Sequence, residues 1–191
     1  HMCSWLNNKQ HLDIVDGDSS FPTTINFDSC IFEEAQLAAG NAINIKNASA
    51  VTFRDCVIQG NLSYFTINME ATSAQQTTAD HTIDNCWFED NGNAQVNSTG
   101  INLIGVSSQR LRGVKLINNR FHQSTANKPN FQVRMQYCDD TVAEFNGEHF
   151  GGTFLKNDGN NRRSRLDSKN TSTSEIAYRP HAHAWVAFSG A

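Results

Sequence analysis

What this 191-residue chain lacks narrows its class first. No window holds 18 consecutive apolar residues, so no segment reads as a membrane-spanning helix and no membrane insertion is expected. No stretch repeats apolar residues at the 3.6 spacing of a long amphipathic helix. Only 38% of residues are apolar and 18% are charged, with 15 Lys and Arg against 19 Asp and Glu. That charge is too weak to keep a chain disordered by self-repulsion. Its mildly acidic sign argues against nucleic acid as a partner. Cys3, Cys30, Cys56, Cys86 and Cys138 form no CxxC pair, and their odd number fits neither a full disulfide framework nor a zinc knuckle. They read as reduced thiols used as small buried hydrophobes, in a chain folded in a reducing compartment. Proline, at three residues, is too scarce to supply many bends. In its place stand 22 Asn, 16 Ser and 14 Thr. Asn is unfavourable in strands and helices, so this much of it calls for an architecture with many turns.

An internal repeat supplies those turns. Residues 25–34 read INFDSCIFEE, 51–60 VTFRDCVIQG and 81–90 HTIDNCWFED; 114–123 read VKLINNRFHQ, with Asn119 in the cysteine's place. A looser fifth copy, TVAEFNGEHF, follows at 141–150. Aligned on the cysteine position, the steps are 26, 30 and 33 residues, the mark of a solenoid with variable loops. Within each copy the apolar residues alternate with period two, which reads as strand. Ser29, Asp55, Asn85 and Asn118 interrupt the alternation at one point, where Asx and Ser residues tolerate left-handed backbone and mark a sharp bend. A second strand precedes each later copy, at 42–47, 65–70, 100–105 and 131–136. Stacking the copies about 4.8 Å apart predicts an inner column of Cys30, Cys56 and Cys86. Two bulky columns follow, Phe27, Phe53, Ile83 and Leu116, and Phe32, Ile58, Phe88 and Phe121.

The fold expected is therefore all-β, a single-stranded parallel solenoid of about five coils over residues 21–156. Residues 1–20 read as a lead-in, in which His1-Met2 resembles what a cleaved tag leaves and no signal peptide follows. Residues 157–175 lose the alternation, cluster Arg162, Arg163, Arg165 and Lys169, and read as a linker or long loop. Residues 176–191 restart a strand pattern, as a C-terminal strand or the start of a trimerisation or further domain.

The repeated pattern V/I-x-F/I-x-[DNS]-C-x-F/I with Asx bends resembles the right-handed parallel β-helix of the pectate-lyase-like superfamily, and most of all its bacteriophage tailspike and tail-fibre modules. That resemblance implies a homotrimer in a virion tail, made in bacterial cytoplasm, that binds or depolymerises bacterial surface polysaccharide. Two other readings stand beside it: a complete small polysaccharide lyase or hydrolase, and a purely structural trimerising fibre segment. The fold alone does not choose among them.

Candidate chemistry gathers after the short strand of each copy. Glu33, Gln59, Glu89 and His122 occupy equivalent positions, so they should form one polar ladder with Glu89 beside His122, an arrangement suited to acid/base work. Glycoside cleavage needs two carboxylates about 5–5.5 or about 6.5–9.5 Å apart, and Glu33 and Glu89 are the candidates. If Cys86 faces inward, Trp87 faces outward, where its ring could stack on a sugar; Gln59, Asp90 and Tyr64 are the other substrate-binding candidates. The aspartate cluster and arginine base that pectate lyases use with calcium find no counterpart here, and Asp13, Asp16 and Asp18 do not complete an EF-hand loop. No cofactor is expected from these residues. His181 and His183 alternate on one strand face, and three copies would offer a transition metal six nitrogens at a trimer axis.

Overall fold

The computed structural model describes residues 3–16, 21–36, 39–72, 78–92, 98–122, 129–145 and 153–168. The described residues form a parallel β-solenoid with three faces and no helix. Face A stacks β1 (Ser4–Leu6), β4 (Ile31–Glu33), β7 (Val57–Gln59), β10 (Trp87–Glu89) and the second half of β13 (Lys115–His122). Face B stacks β2 (Leu12–Val15), β5 (Asn41–Lys46), β8 (Phe65–Ala71), β11 (Thr99–Gly105), β14 (Phe131–Gln136) and β17 (Thr153–Asn157). Face C stacks β3 (Thr23–Asp28), β6 (Ser49–Arg54), β9 (Thr82–Asp84), the first half of β13, β16 (Val142–Phe145) and β18 (Arg165–Ser168). A short corner pair, β12 (Leu111–Arg112) and β15 (Cys138–Asp139), completes the set.

Each face turns into the next through a residue in left-handed backbone. Ser29, Asp55, Asn85 and Asn118 make the corner from C to A, with φ of 54, 53, 53 and 56°. Asn7, Glu34, Gly60 and Asp90 make the corner from A to B. Thr24, Ala50, Asp80, Gly113, Asp140 and Arg163 make the last bend into face C. The bend anticipated at Ser29, Asp55, Asn85 and Asn118 is thus present at all four. Left-handed backbone costs an L-residue about 1–2 kcal/mol, and here it is offset because the ladder continues around the corner. The amides of Ser29, Asp55 and Asn85 donate to the carbonyls of Arg54, Asp84 and Ile117 one rung on. At Gly113 a Cβ would lie 2.5 Å from Asp80 Oδ1, so a side chain there would require the Asp80 carboxylate to move.

The expected inner columns are in register. Trp5, Phe32, Ile58, Phe88 and Phe121 stack on face A, and Phe27, Phe53, Ile83, Leu116 and Ala143 on face C. Phe88 and Phe121 stack with centroids 4.7 Å apart and planes 15° apart. Face B contributes Ile14, Ile45, Met69, Leu103 and Met135. The cysteine column is buried as expected, and all five cysteines are free. Burial pushes the Cys30 thiol up. The bond to Cys56, then burial, pushes Cys86 up, and burial holds Cys138 up at about 12. None of these three is a thiolate nucleophile near neutral pH.

Two boundaries differ from the sequence reading. The lead-in holds β1 and β2, so Cys3 joins the column: its carbonyl accepts from Ile31 as that of Cys30 accepts from Val57. The stretch expected as linker or long loop holds β18, parallel to β16. Strands of three or four residues are too short to show their period. Residues 176–191 lie outside the described residues.

Asparagine has two jobs inside this frame. Inward-facing amides replace missing backbone partners at the corners. Asn61 donates to the Phe32 carbonyl at 3.1 Å and to Asn91 Oδ1 at 2.8 Å, and accepts the Ala35 amide at 2.9 Å. Asn119, in the cysteine column, accepts the Cys86 amide and donates to the Ile83 carbonyl. On face B a second row, Asp13, Asn44, Asn68 and Asn102, bonds side chain to side chain at 2.8, 2.9 and 2.7 Å. Sequence alternation places that row in solvent, yet Asn68 and Asn102 are buried, and the rung-to-rung amide bonds are what make their burial tolerable.

His81 lies fully buried in the bend from B to C. Its Nδ1 accepts from the Val51 amide at 3.3 Å, which leaves the ring proton on Nε2, an atom without a hydrogen-bond partner. Burial lowers its pKa to about 4, against a smaller upward pull from the Ala48 carbonyl. The unfolded chain, with histidine near 6.5, therefore binds the proton first. Stability should be full above pH 6.5 and fall as pH drops towards 4, by about 3 kcal/mol from this group. Urea melts across that range should show the slope, and His81→Gln, which keeps an acceptor without a titrating ring, should flatten it. Asn61→Ala should cost about 3 kcal/mol in the same assay at pH 7, because it orphans a buried amide and a buried carbonyl.

Candidate functional site

The outer side of face A is where the expected site residues meet. Glu33, Gln59, Glu89 and His122 stand in one row on four successive rungs, with Glu89 directly paired to Gln59 below and His122 above. The neighbouring row runs Ile31, Val57, Trp87 and Arg120. Both rows follow from period two. Phe32, Ile58, Phe88 and Phe121 fill the core, so the residues on either side of each point away from it.

Side-chain contacts tie the two rows together. The Trp87 indole Nε1–H donates to Glu89 Oε2 at 2.9 Å, and the Trp87 ring stacks with the His122 imidazole at 6.1 Å and 21°. Gln59 Nε2 donates to Glu33 Oε1 at 3.2 Å. The indole is thus held at its edge by one carboxylate and on one side by an imidazole, while the whole group remains partly open to solvent. Glu33 and Glu89 are two rungs apart, about 9.6 Å along the axis, with the Gln59 amide between them. Both carboxylates are already acceptors of a neighbour's N–H.

Arg120 was not singled out by sequence, although it precedes His122 by two residues and so shares its face. It is exposed and forms no ion pair with a described residue. Five other arginines differ: Arg54, Arg110, Arg134, Arg163 and Arg165 each meet a carboxylate on another rung. Arg110, nearly buried, reaches Asp139 at 2.7 Å, bonds the Cys138 and Asn160 carbonyls and lies over the Tyr137 ring. One guanidinium fastens three rungs, and another stands free beside an aromatic platform.

The remaining candidates fall elsewhere. Asp90 forms the corner after Glu89, with φ of 48°, and its amide donates to the His122 carbonyl at 3.1 Å, so its backbone shapes the end of the row. Tyr64 precedes β8 and packs on Phe65 at 4.6 Å, at the entry to face B and apart from Trp87. His181 and His183 lie outside the described residues. Among the described residues no group of three or more His, Cys, Asp or Glu side chains is placed to hold a metal ion.

Comparison with family models, with curated proteins and with solved structures finds no match to this chain. The site therefore has to be judged on its own geometry.

A residue free for a ligand should be dispensable for folding. Arg120→Ala should change stability by less than about 0.5 kcal/mol. Arg110→Ala should cost about 3 kcal/mol, because it leaves the buried Asp139 carboxylate unpaired. Thermal melts of the two variants should separate them cleanly.

Proposed function

We propose that this protein is a glycan-binding module of the tailspike kind within the pectate-lyase-like β-helices, and that face A holds bacterial surface polysaccharide during attachment of a virion tail. One observation carries the reading: Trp87, a large aromatic on an outer row, is fixed in orientation by Glu89 and His122 and is not tucked into the core. A pinned indole offers the apolar face of a sugar ring a stacking surface at little entropic cost. Around it stand fixed acceptors, Glu33 and Glu89, an amide at Gln59, and the free donors of Arg120, a set that matches hydroxyls arrayed around a ring. Rungs repeat along the axis, so a polymer of sugars can lie across several at once.

Binding is favoured over cleavage by how the carboxylates are engaged. Glu89 accepts the indole N–H and Glu33 accepts the Gln59 amide, and the Gln59 rung stands between the two carboxylates.

Titration of the full chain with bacterial surface polysaccharide fragments, followed by Trp fluorescence and calorimetry, tests the proposal. Trp87→Ala should weaken binding at least about tenfold, about 1.4 kcal/mol, with an unchanged circular dichroism spectrum. Glu89→Gln should weaken it less, and no reducing ends should be released by either protein. Binding unaffected by Trp87→Ala would remove face A from the reading, and reducing-end release abolished by Glu89→Gln would establish the enzyme instead.

A further inference from the structure

The arginine on the outer side of face A differs from its counterpart on face C. Arg54 stands between Asp28 and Asp84 in one row of successive rungs and meets both, at 3.6 and 3.9 Å. Arg120 follows Ile31, Val57 and Trp87 in its row, none of which carries a negative charge. One rung away in the adjoining row, the Glu89 carboxylate is taken by the Trp87 indole at 2.9 Å. The backbone of Arg120 is nonetheless fixed, its amide donating to the Cys86 carbonyl at 2.9 Å. An exposed guanidinium with five N–H donors therefore starts from a point about 4.8 Å along the axis from Trp87.

Charge changes sign along face A. Glu33 and Glu89 are carboxylates, Gln59 between them is a neutral amide, and the cation comes only at the rung of Arg120. A polymer crossing these rungs meets two acceptors before it meets a cation. Hydroxyls suit the first two, since a carboxylate accepts from a donor and repels an anion. An oxyanion suits Arg120, whose planar fork takes carboxylate or phosphate oxygens in two parallel bonds. Arg112 is likewise exposed and forms no ion pair with a described residue. It stands at the bend from face B into face C, away from Trp87.

We propose that Arg120 sets the specificity of face A for a sparsely anionic glycan. One sugar of its repeat carries an oxyanion, a carboxylate or a phosphate, and the sugars that cross Glu89, Gln59 and Glu33 are uncharged. This rests on the reading of face A as a glycan-binding surface and names the class of glycan. The indole that stacks on a ring is held by Glu89 and His122, so the ring is held too, and a substituent on it or on the next ring meets the guanidinium one rung on. A uniformly acidic polymer fits poorly. It sets anions over Glu89 and Glu33 while meeting one guanidinium, and such like-charge contacts are what separates a wrong ligand from the right one. A wholly neutral polymer leaves the Arg120 fork unused.

An array of bacterial surface polysaccharides tests the proposal, each displayed native, carboxyl-reduced and dephosphorylated. It is probed with the full chain and with Trp87→Ala, Arg120→Gln and Arg112→Gln. Glycans bound through Trp87 should be those with one anionic sugar per repeat. Removing that group should weaken binding at least about tenfold, and the treatment that does so tells carboxylate from phosphate. Arg120→Gln should weaken the native glycan by the same factor and leave the neutralised one unchanged. Arg112→Gln, with the same loss of charge, should keep the preference. Polygalacturonate, charged on every sugar, should bind more weakly than the sparse polymers. A neutral glycan bound as tightly, and lost in Trp87→Ala, would overturn the role of Arg120 while the glycan reading stands. So would an anionic preference that survives Arg120→Gln, or one that Arg112→Gln removes equally. No binding to any glycan on the array would overturn the glycan reading of face A and this inference with it.

Discussion

Everything in this molecule follows from one constraint: each residue of a rung must sit over its equivalent in the next, at the spacing of a parallel hydrogen-bonded ladder. The ladder does not stop at the corners, because the residue that turns the chain still donates to the rung beyond it. That is why left-handed backbone is tolerated at Ala50, a residue type that seldom adopts it and whose amide donates to the Ala79 carbonyl, as well as at Asp55, Asp80, Asn85 and Asp140. It is also why side chains come in columns. On faces A and C a buried apolar residue stacks on another apolar residue, and a polar residue must find its partner one rung away.

The asparagines show what the columns demand. A thin core with three corners per turn leaves backbone groups inside that neither water nor a strand neighbour can reach. Asn61, Asn91, Asn119 and Asn161 each supply a short amide that donates to one of these carbonyls, and all four also accept a backbone amide. The same logic fastens charges. Arg54 lies between Asp28 and Asp84, and Arg163 grips Asp140 with two bonds. The Nε2 of His81 departs from this logic, as do the Nδ1 of His11 and the Oδ1 of Asn102: each is a buried polar atom with no hydrogen-bond partner among the described residues.

Much of this could be read from the sequence, and the parts that could not have physical causes. The drifting repeat exposed the solenoid, its bends at Ser29, Asp55, Asn85 and Asn118, its inner columns, and the row from Glu33 to His122, because alternation and equivalence are properties of position alone. The bonds from Trp87 to Glu89 and from Gln59 to Glu33 were not legible, since they depend on rotamers chosen after the rungs stack. β1 and β18 escaped because a strand of three or four residues carries too little pattern to separate from a loop. Arg120 was visible in principle through its spacing from His122. Its distinction from Arg54, Arg110, Arg134, Arg163 and Arg165, each of which meets a carboxylate, is a fact about neighbouring rungs. The burial of Asn68 and Asn102 was misjudged for a related reason: alternation says which side of a strand a residue faces and nothing of what covers that side.

The copies repeat after 26, 30 and 33 residues, yet Cys30, Cys56, Cys86 and Asn119 stand one rung apart each time. The solenoid is therefore a ruler whose divisions are independent of chain length. Residues can be added between a strand and the next bend without changing the distance from Trp87 to Arg120, because that distance is set by the ladder and not by the connection. Recognition on face A can accordingly be rewritten one rung at a time by substitution, while the loops lengthen or shorten on a separate account. The architecture separates the grammar of spacing from the vocabulary of contact.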